Sequence, residues 1–489
     1  VMLTFAIVSP FVALGLALLG ILWFGRRLGR HVESSLGMKP KSTLWEMFFT
    51  MRTHGLADLL MTMQRAESGQ PAEHPMGSKP AVDWLNAIGF DPATFVPKLR
   101  SQNAPVDLRV TLGAQRSRPL HLAMPILIAP MGYGIALSAE TKVALAQAAT
   151  LAGIAILSGE GPYLPEERAF SERWILQESR GGWAHQPAVR NLADMIELQW
   201  GQASEAGKGL TKDRADLPPR VIQAVHGEAV IEAAPYHSIE EWVDEVRRQR
   251  SDCPLGVKIP ASQHLESDLA LLCALDIDVI TLDGAGAGSA GSPAVISDYF
   301  GISTALAAYR AHRWLMQAGF RDRVSLVVSG GVHGAVDAAR LIALGADAVA
   351  VGSELLFAAL HEQVAEHWPM TPPTQMAFAR SKRNHAPSLD VGQASEHITH
   401  WLDATRAELA TILRTQGLSS LTELRATCPL IARTPLAARV FSLPFDGDGP
   451  TPPLVAHKVG ELVASYAQLN RILTTISEEW AYASRRSWP

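Results

Sequence analysis

The chain of 489 residues holds only three cysteines, Cys253, Cys273 and Cys428. They form no CxxC pair and no metal-ligand spacing, so no thiolate metal site is expected. The count suits a reducing compartment in which each thiol is a small apolar core group. Basic runs are missing after the first forty residues and the formal net charge is -5, which argues against a nucleic-acid partner. No GxGxxG follows the first strand-like run, so the phosphate fingerprint of an open dinucleotide-binding sheet is absent. One absence is local: Leu3 to Phe24 carries no charged side chain.

Those twenty-two residues span about 33 Å as a helix, enough to cross a hydrocarbon core. Arg26, Arg27, Arg30 and His31 follow, with Lys39 and Lys41 beyond. A cleaved leader would carry its basic cluster before the apolar stretch, and here it comes after. The expectation is a transmembrane anchor over residues 1–25. The positive-inside rule then puts the chain in the inner membrane as a single-pass protein, with its bulk in the cytoplasm.

Residues 26–80 read as a juxtamembrane segment and linker. Residues 42–65 are amphipathic, and Ala66 to Pro80 is rich in Pro, Gly, Ser and Glu. An irregular lead-in with a short strand at Val106–Leu112 precedes a regular alternation. Strand-type runs appear at Ile126–Pro130, Ile154–Gly159, Trp174–Glu178, Met195–Trp200, Leu255–Ile259, Val279–Asp283, Leu326–Ser329 and Ala348–Gly352. Helical patterns separate most of them, among them Ala139–Ala152, Ile239–Gln249, Leu265–Leu275, Ile302–Ala318 and Ala335–Leu344. Eight such units predict an α/β fold, a (β/α)8 TIM barrel over residues 81–365. Residues 366–489 hold no further β–α unit. Their helical patterns at His397–Gln416, Leu421–Thr427 and Val455–Ala481 predict a C-terminal helical extension capping the barrel.

Barrel enzymes keep their chemistry at the C-terminal ends of the strands. The first strand ends in Met131-Gly132-Tyr133-Gly134, where small residues let backbone approach a planar ligand. The next ends in Ser158-Gly159-Glu160-Gly161, and the third carries Gln177, whose amide can both donate and accept. Lys258 sits between apolar neighbours on the fifth strand, so it needs a partner or the barrel mouth. The sixth ends in Asp283-Gly284. The seventh and eighth end in Ser329-Gly330-Gly331 and Gly352-Ser353, clustered backbone N–H groups at helix starts that suit a phosphate.

In the same order, segments Ala129–Ser138, Ser158–Gly161, Ile175–Gly182, Ile196–Gly209, Val257–Ile259, Asp283–Pro293, Ser329–Asp337 and Gly345–Ser353 resemble the FMN barrel of glutamate synthase. The likeness covers roughly residues 80 to 430. It implies FMN at the barrel mouth, its phosphate on Gly330, Gly331, Gly352 and Ser353. Met131, Gly132, Tyr133, Gln177 and Lys258 would line the ring, with Asp283 and Gly284 as further cofactor contacts. Lys258, Gln202 and Glu160 would be the catalytic residues. In that family a flavin hydride reduces an imine made from 2-oxoglutarate and ammonia.

The departures are specific. Leu360–Met376 contains no cysteine where the family carries an iron–sulfur motif, so no cluster is expected. An apolar stretch stands where the family has its ammonia-releasing domain. Ala203–Gly209 exchanges the charges of the family's segment, and Ala234-Pro235-Tyr236-His237 is a shortened histidine segment. The substrate is therefore read only as a small molecule, 2-oxoglutarate or an amino acid, with a separate electron donor or acceptor. A non-catalytic or differently specific FMN subunit at the membrane is the alternative. A 2-hydroxy-acid oxidase or IMP dehydrogenase is disfavoured, because the loops lack the required His/Arg or Cys. His226, Glu228, Glu232 and His237 are weaker proton-donor candidates, and Trp183 and His185 either cover the flavin or pack.

Overall fold

The computed structural model describes residues 55–72, 84–92, 101, 103–179, 182–183, 185–203, 212–213, 217–224, 230–231, 238–288, 292–363, 375–379 and 386–446. Val1–Glu73 and His74–Pro489 are two compact units. In the first, helix α1 (Leu56–Ser68) follows Gly55 and ends at Gly69 in the left-handed conformation. The helix thus runs three residues into the expected linker. The apolar stretch Leu3–Phe24 lies outside the described residues. Among the described residues, no helix is long and apolar enough to cross a membrane.

In the second unit, one closed barrel of eight strands dominates the described residues. Its strands are β4 (Ile126–Ile128), β5 (Ala155–Leu157), β6 (Trp174–Ser179) and β7 (Met195–Gln199), then β10 (Leu255–Pro260), β11 (Val279–Asp283), β12 (Ser325–Ser329) and β13 (Ala348–Val351). All eight pair in parallel, and β13 closes on β4 through Val351 and Ile128. These are the eight runs expected from the sequence. Strands buried on both faces read as continuous apolar runs, which is why they stand out. A short pair, β8 (Lys212–Asp213) and β9 (Val230–Ile231), stands in the long connection after β7.

Strand residues facing outward, such as Ile126, Trp174, Leu198 and Leu282, pack with the surrounding helices in the main core. The helices following the strands are α2 (Ala139–Ala152), α3 (Pro165–Phe170), α4 (Pro187–Arg190), α5 (Pro219–Ala224), α6 (Ile239–Gln249) and α7 (Leu265–Cys273), then α8 (Ala294–Tyr299), α9 (Thr304–Gln317), α10 (Ala335–Ala343) and α11 (Ser353–Leu360). Local chemistry sets several starts. Ser138, Ser238 and Ser303 accept from the N–H of Thr141, Glu241 and Leu306, caps worth about 1 kcal/mol each. In α6 the buried Ile239, Trp242, Val243 and Val246 recur at helical spacing.

Beyond residue 365 the structure differs from a simple helical cap. α12 (Val391–Thr415) packs along α2, α11 and α10 and buries Ile398, Leu402, Leu409 and Leu413. It completes the outer ring. The physical reason is length: eight residues of α11 rise only about 12 Å, too little to cover the flank of the closing strands. After α13 (Leu421–Thr427), the strand β14 (Leu430–Ala432) pairs antiparallel with β1 (Ile88–Phe90), joining the segment before the barrel to the one after it, and α14 (Pro435–Phe441) follows. The helix expected at Val455–Ala481 lies outside the described residues. Cys253 and Cys273 are buried free thiols and Cys428 is half-buried. Burial pushes the Cys273 thiol up to about 11.

The floor of the barrel is a hairpin of β2 (Val110–Leu112) and β3 (Leu120–Leu122). Its Leu112, Leu120 and Leu122 pack against the inward Leu127, Ala155, Ile175, Met195, Val279, Val327 and Ala348. This seals one end and leaves the C-terminal ends of the strands for a site.

Candidate active site

Successive strand residues point to opposite faces, so the inward set can be followed upward from the floor. One pleat above Ile175, Met195 and Val279 it turns polar. Gln177, Glu197, Lys258 and Thr281 come first, then Ser179, Gln199, Asp283 and Ser329, and all are buried. Gln177 Nε2 donates to Glu197 Oε1 at 2.8 Å, and Thr281 Oγ1 donates to Glu197 Oε2 at 2.6 Å. The Lys258 ammonium lies 2.9 Å from Asp283 Oδ2. At that distance the buried pair is a charge-assisted contact. Ser329 Oγ donates to Asp283 Oδ1.

Two carboxyls thus flank one ammonium in the barrel interior. Burial pushes the Glu197 carboxyl up, while the Lys258 charge and the Thr281 and Gln177 donors draw it back. Ser179 Oγ and Gln199 Oε1 are buried with no hydrogen-bond partner among the described residues. Buried polar atoms in native proteins are almost always paired, and residues 180, 181 and 204–211, which adjoin these two strand ends, lie outside the described residues.

The strand-end loops converge over this polar layer. A Cβ on Gly132 would stand 1.5 Å from the Glu160 carbonyl oxygen, so the loops after β4 and β5 touch backbone to backbone. Met131 Sδ is 3.6 Å from where a Gly352 Cβ would be, which brings the ends of β4 and β13 together. Gly330 has φ 106°, and a Cβ there would meet the Gly284 carbonyl and Thr304 Oγ1 at 2.9 Å. Thr304 Oγ1 in turn donates to the carbonyls of Ser329 and Gly330. The turn after β12 is thereby fixed against the loop after β11. Above it, a Cβ on Gly331 or Gly334 would meet nothing within 4 Å. The helices that follow, α10 and α11, begin at Gly334 and Gly352 with no side-chain cap. Their first N–H groups are the kind of donors that hold an anion.

The other candidates divide. Gln202 follows β7, where Trp200 N–H donates to the Lys258 carbonyl at 3.0 Å, so it stands beside the lysine strand. The Gln177 amide is tied to Glu197 in the wall. The Tyr133 side chain packs into a satellite cluster with Ile135, Leu164, Leu217 and Val221. Burial pushes its phenol up. Trp183 joins the same cluster. His185 lies on the outer side, its ring 5.5 Å from Trp242 and 3.9 Å from Glu178. His226, Glu228, Glu232, His237 and residues 204–209 lie outside the described residues. Sequence reasoning passed over Glu197, Thr281, Ser179 and Gln199. The available signal was period-two polarity in the upper half of β6, β7 and β11.

A second buried pair supports the mouth from outside. Lys142 Nζ is 3.0 Å from Glu167 and donates to the carbonyls of Leu157 and Ser158 at 3.1 and 3.0 Å. Burial holds the Lys142 ammonium below and the Glu167 carboxyl above their ordinary ranges. The pair anchors the end of β5, from which the Gly159–Gly161 turn departs.

A closed parallel barrel with a sealed apolar floor, a charged inner wall and glycine turns at its mouth defines a barrel protein whose site lies at the strand C-termini. Residues 91–419 match the family described as the conserved region in glutamate synthase, and the chain belongs to that family. It is 26% identical over 332 residues to the archaeal-type glutamate synthase (NADPH) of Thermotoga neapolitana, covering 61% of this chain and 65% of that protein. It is 32% identical over 263 residues to the glutamate synthase large subunit-like protein of Rhizobium meliloti, covering 52% and 59%. The chain thus spans less than two thirds of these relatives' lengths. Among solved structures it is similar to a mutant of mandelate oxidase with (S)-mandelic acid, at TM-score 0.48 and 17% identity over 72% of this chain and 90% of that one. Likeness at that level carries no chemical information.

Proposed function

We propose that this chain is the FMN-binding barrel of an oxidoreductase of the glutamate synthase type. It would act on a CH–NH2 or imine bond, forming glutamate from 2-oxoglutarate and ammonia or catalysing a related amino-acid reaction. One arrangement carries this reading in a chain of this family. The Gly330–Gly331 turn and the Gly352–Ser353 helix start stand on paired strands, beside a buried lysine in a polar mouth.

The residues present fit FMN. Gly331 and Gly334 leave open space, and α10 and α11 begin without side-chain caps. Gly330, Gly331, Gly352 and Ser353 would hold the phosphate. Met131, Gly132, Gln177 and Lys258 would face the ring, and Ser179 Oγ and Gln199 Oε1, without a partner among the described residues, would add polar contacts. When bound, the cofactor supplies the hydride chemistry that no side chain can provide. Lys258 would place a fixed positive charge at the reacting centre, with Asp283 and Ser329 holding its position. Glu160, after β5, and Gln202, after β7, are candidates to orient substrate or move a proton.

The uncharged stretch Leu3–Phe24 and its basic flank support a single-pass anchor in the inner membrane, with the barrel in the cytoplasm and a separate redox partner. A differently specific FMN subunit is the second reading. It is favoured by the exchanged order of Glu205 and Lys208. Purified protein is expected to carry stoichiometric FMN, with the reduced form reoxidised by 2-oxoglutarate plus ammonium. Protein that stays colourless after incubation with FMN would overturn the proposal. Bound flavin that ignores those substrates would favour the second reading.

A further inference from the structure

Away from the mouth, three ligand-type side chains meet where α11 ends. His361 and Glu362 follow its last residue, and Glu362 takes a left-handed φ of 66°. The chain then folds back through Gln363. Its Nε2 donates to the Ala359 carbonyl at 3.1 Å, and its Oε1 accepts from Asp390 N–H at 2.8 Å. Asp390 is the N-cap of α12. This buried glutamine therefore pins the first turn of α12 against the end of α11.

His397, in the second turn of α12, meets His361 edge to face with ring centroids 4.9 Å apart. Single ligand atoms of His361, Glu362 and His397 lie within 4.8 Å of one another. His397 Nδ1 is buried and has no hydrogen-bond partner among the described residues. His400 follows on the same helix, its ring centroid 6.5 Å from that of His397.

We propose that His361, Glu362 and His397 bind a divalent transition-metal ion of the zinc type, with water completing the coordination. Two imidazoles and a carboxylate are a ligand set that suits zinc and leaves one open position. Bonds of about 2.0–2.1 Å in a tetrahedron hold ligand atoms roughly 3.4 Å apart. Closure by about 1.4 Å is therefore needed. The side chains of His361 and Glu362 are exposed, Glu362 accepting only a 3.3 Å bond from Gln393 Nε2, whereas His397 is held by its helix. Coordination also offers a role for an imidazole whose buried nitrogen has no partner among the described residues.

The ion would staple the end of α11 to α12. The start of α11 belongs to the proposed phosphate cradle, so the staple would steady the far end of that helix. That link rests on the FMN reading, but metal binding does not.

The full chain, stripped of metal by a chelator, can be titrated with Co2+ by visible absorption and with Zn2+ by calorimetry. Saturable one-to-one binding is expected. His397→Ala and His361→Ala should each weaken it by about 100-fold and Glu362→Gln by about 10-fold. His264→Ala, an exposed histidine elsewhere, should leave it unchanged. Melting without metal checks that each variant is folded, and flavin content is read separately. Absent saturable binding, or equal affinity in wild type and all three site variants, would overturn the site.

Discussion

At the level of Ile175, Met195 and Val279 the barrel interior is hydrocarbon, closed from below by Leu112, Leu120 and Leu122. One pleat higher, the same strands carry Gln177, Glu197 and Thr281, bonded to one another, with Lys258 against Asp283. Two residues along a strand therefore separate a core from a reactive surface. The floor interdigitates: a Cβ on Gly256 would meet Met195 Cε at 2.9 Å. The mouth instead keeps Ser179 Oγ and Gln199 Oε1 buried with no hydrogen-bond partner among the described residues. Departures from good packing and full hydrogen bonding cluster at functional sites, and here the floor supplies the rigidity that allows them.

The largest effects should come from the mouth. Lys258→Met leaves Asp283 buried and unpaired, at a cost of about 3–5 kcal/mol in stability. Turnover should fall by roughly 10²–10³-fold, as when a group that stabilises transition-state charge is removed. Adding Asp283→Leu replaces the whole pair with apolar groups and should restore most of the stability. It should not restore turnover. Urea unfolding and steady-state rates on both variants separate the two effects. Recovery of turnover in the double variant would make Lys258 a structural residue.

The floor should give the opposite pattern. Leu122→Ala removes a fully buried side chain from the plug, and about 2–5 kcal/mol of stability should go with it. Flavin content and turnover of the folded protein should stay within about twofold, because the two layers share no partner. Thermal unfolding monitored alongside flavin fluorescence tests this. A loss of flavin at temperatures where the protein remains folded would show that floor and mouth are coupled.

The same contrast explains what was legible. The eight strands and the glycine turns could be read because parallel strands are apolar on both faces and because Gly330 needs a positive φ. The placement of Lys258 could be read because a lone cation in an apolar strand needs a partner. That its partner is Asp283, and that Glu197 lies behind it, depends on cross-strand register. Gln177 sits beside Glu197 and Lys258 beside Gln199, in registers that only the closed sheet fixes. Tyr133 stands in the loop after β4, but its ring turns into the satellite cluster. Only the position of α5 in space decides that. The helical period in α12 was visible, whereas its place in the outer ring follows from the shortness of α11.

The smallest effect should lie on the outer rim of the floor, where pH rather than packing is the probe. His312 Nδ1 accepts from Arg321 Nε at 3.1 Å, and Arg321 also bonds Asp347 at 2.9 Å. Burial, helped by the Arg321 and Arg425 charges, holds the imidazole down to about 4 from its ordinary 6.5. The folded protein keeps His312 neutral in that interval, while the unfolded chain takes up a proton. Stability should therefore fall as pH drops from about 6.5 to about 4 and level off for this group below that. The full shift corresponds to about 3 kcal/mol. Since the ring is partly exposed, solvent screening reduces the expected loss to about 1 kcal/mol. His312→Gln keeps an acceptor for Arg321 and cannot titrate. Its urea midpoint should drop less than that of wild type between about pH 7 and pH 4.5, and equal slopes for the two proteins would remove His312 as the cause.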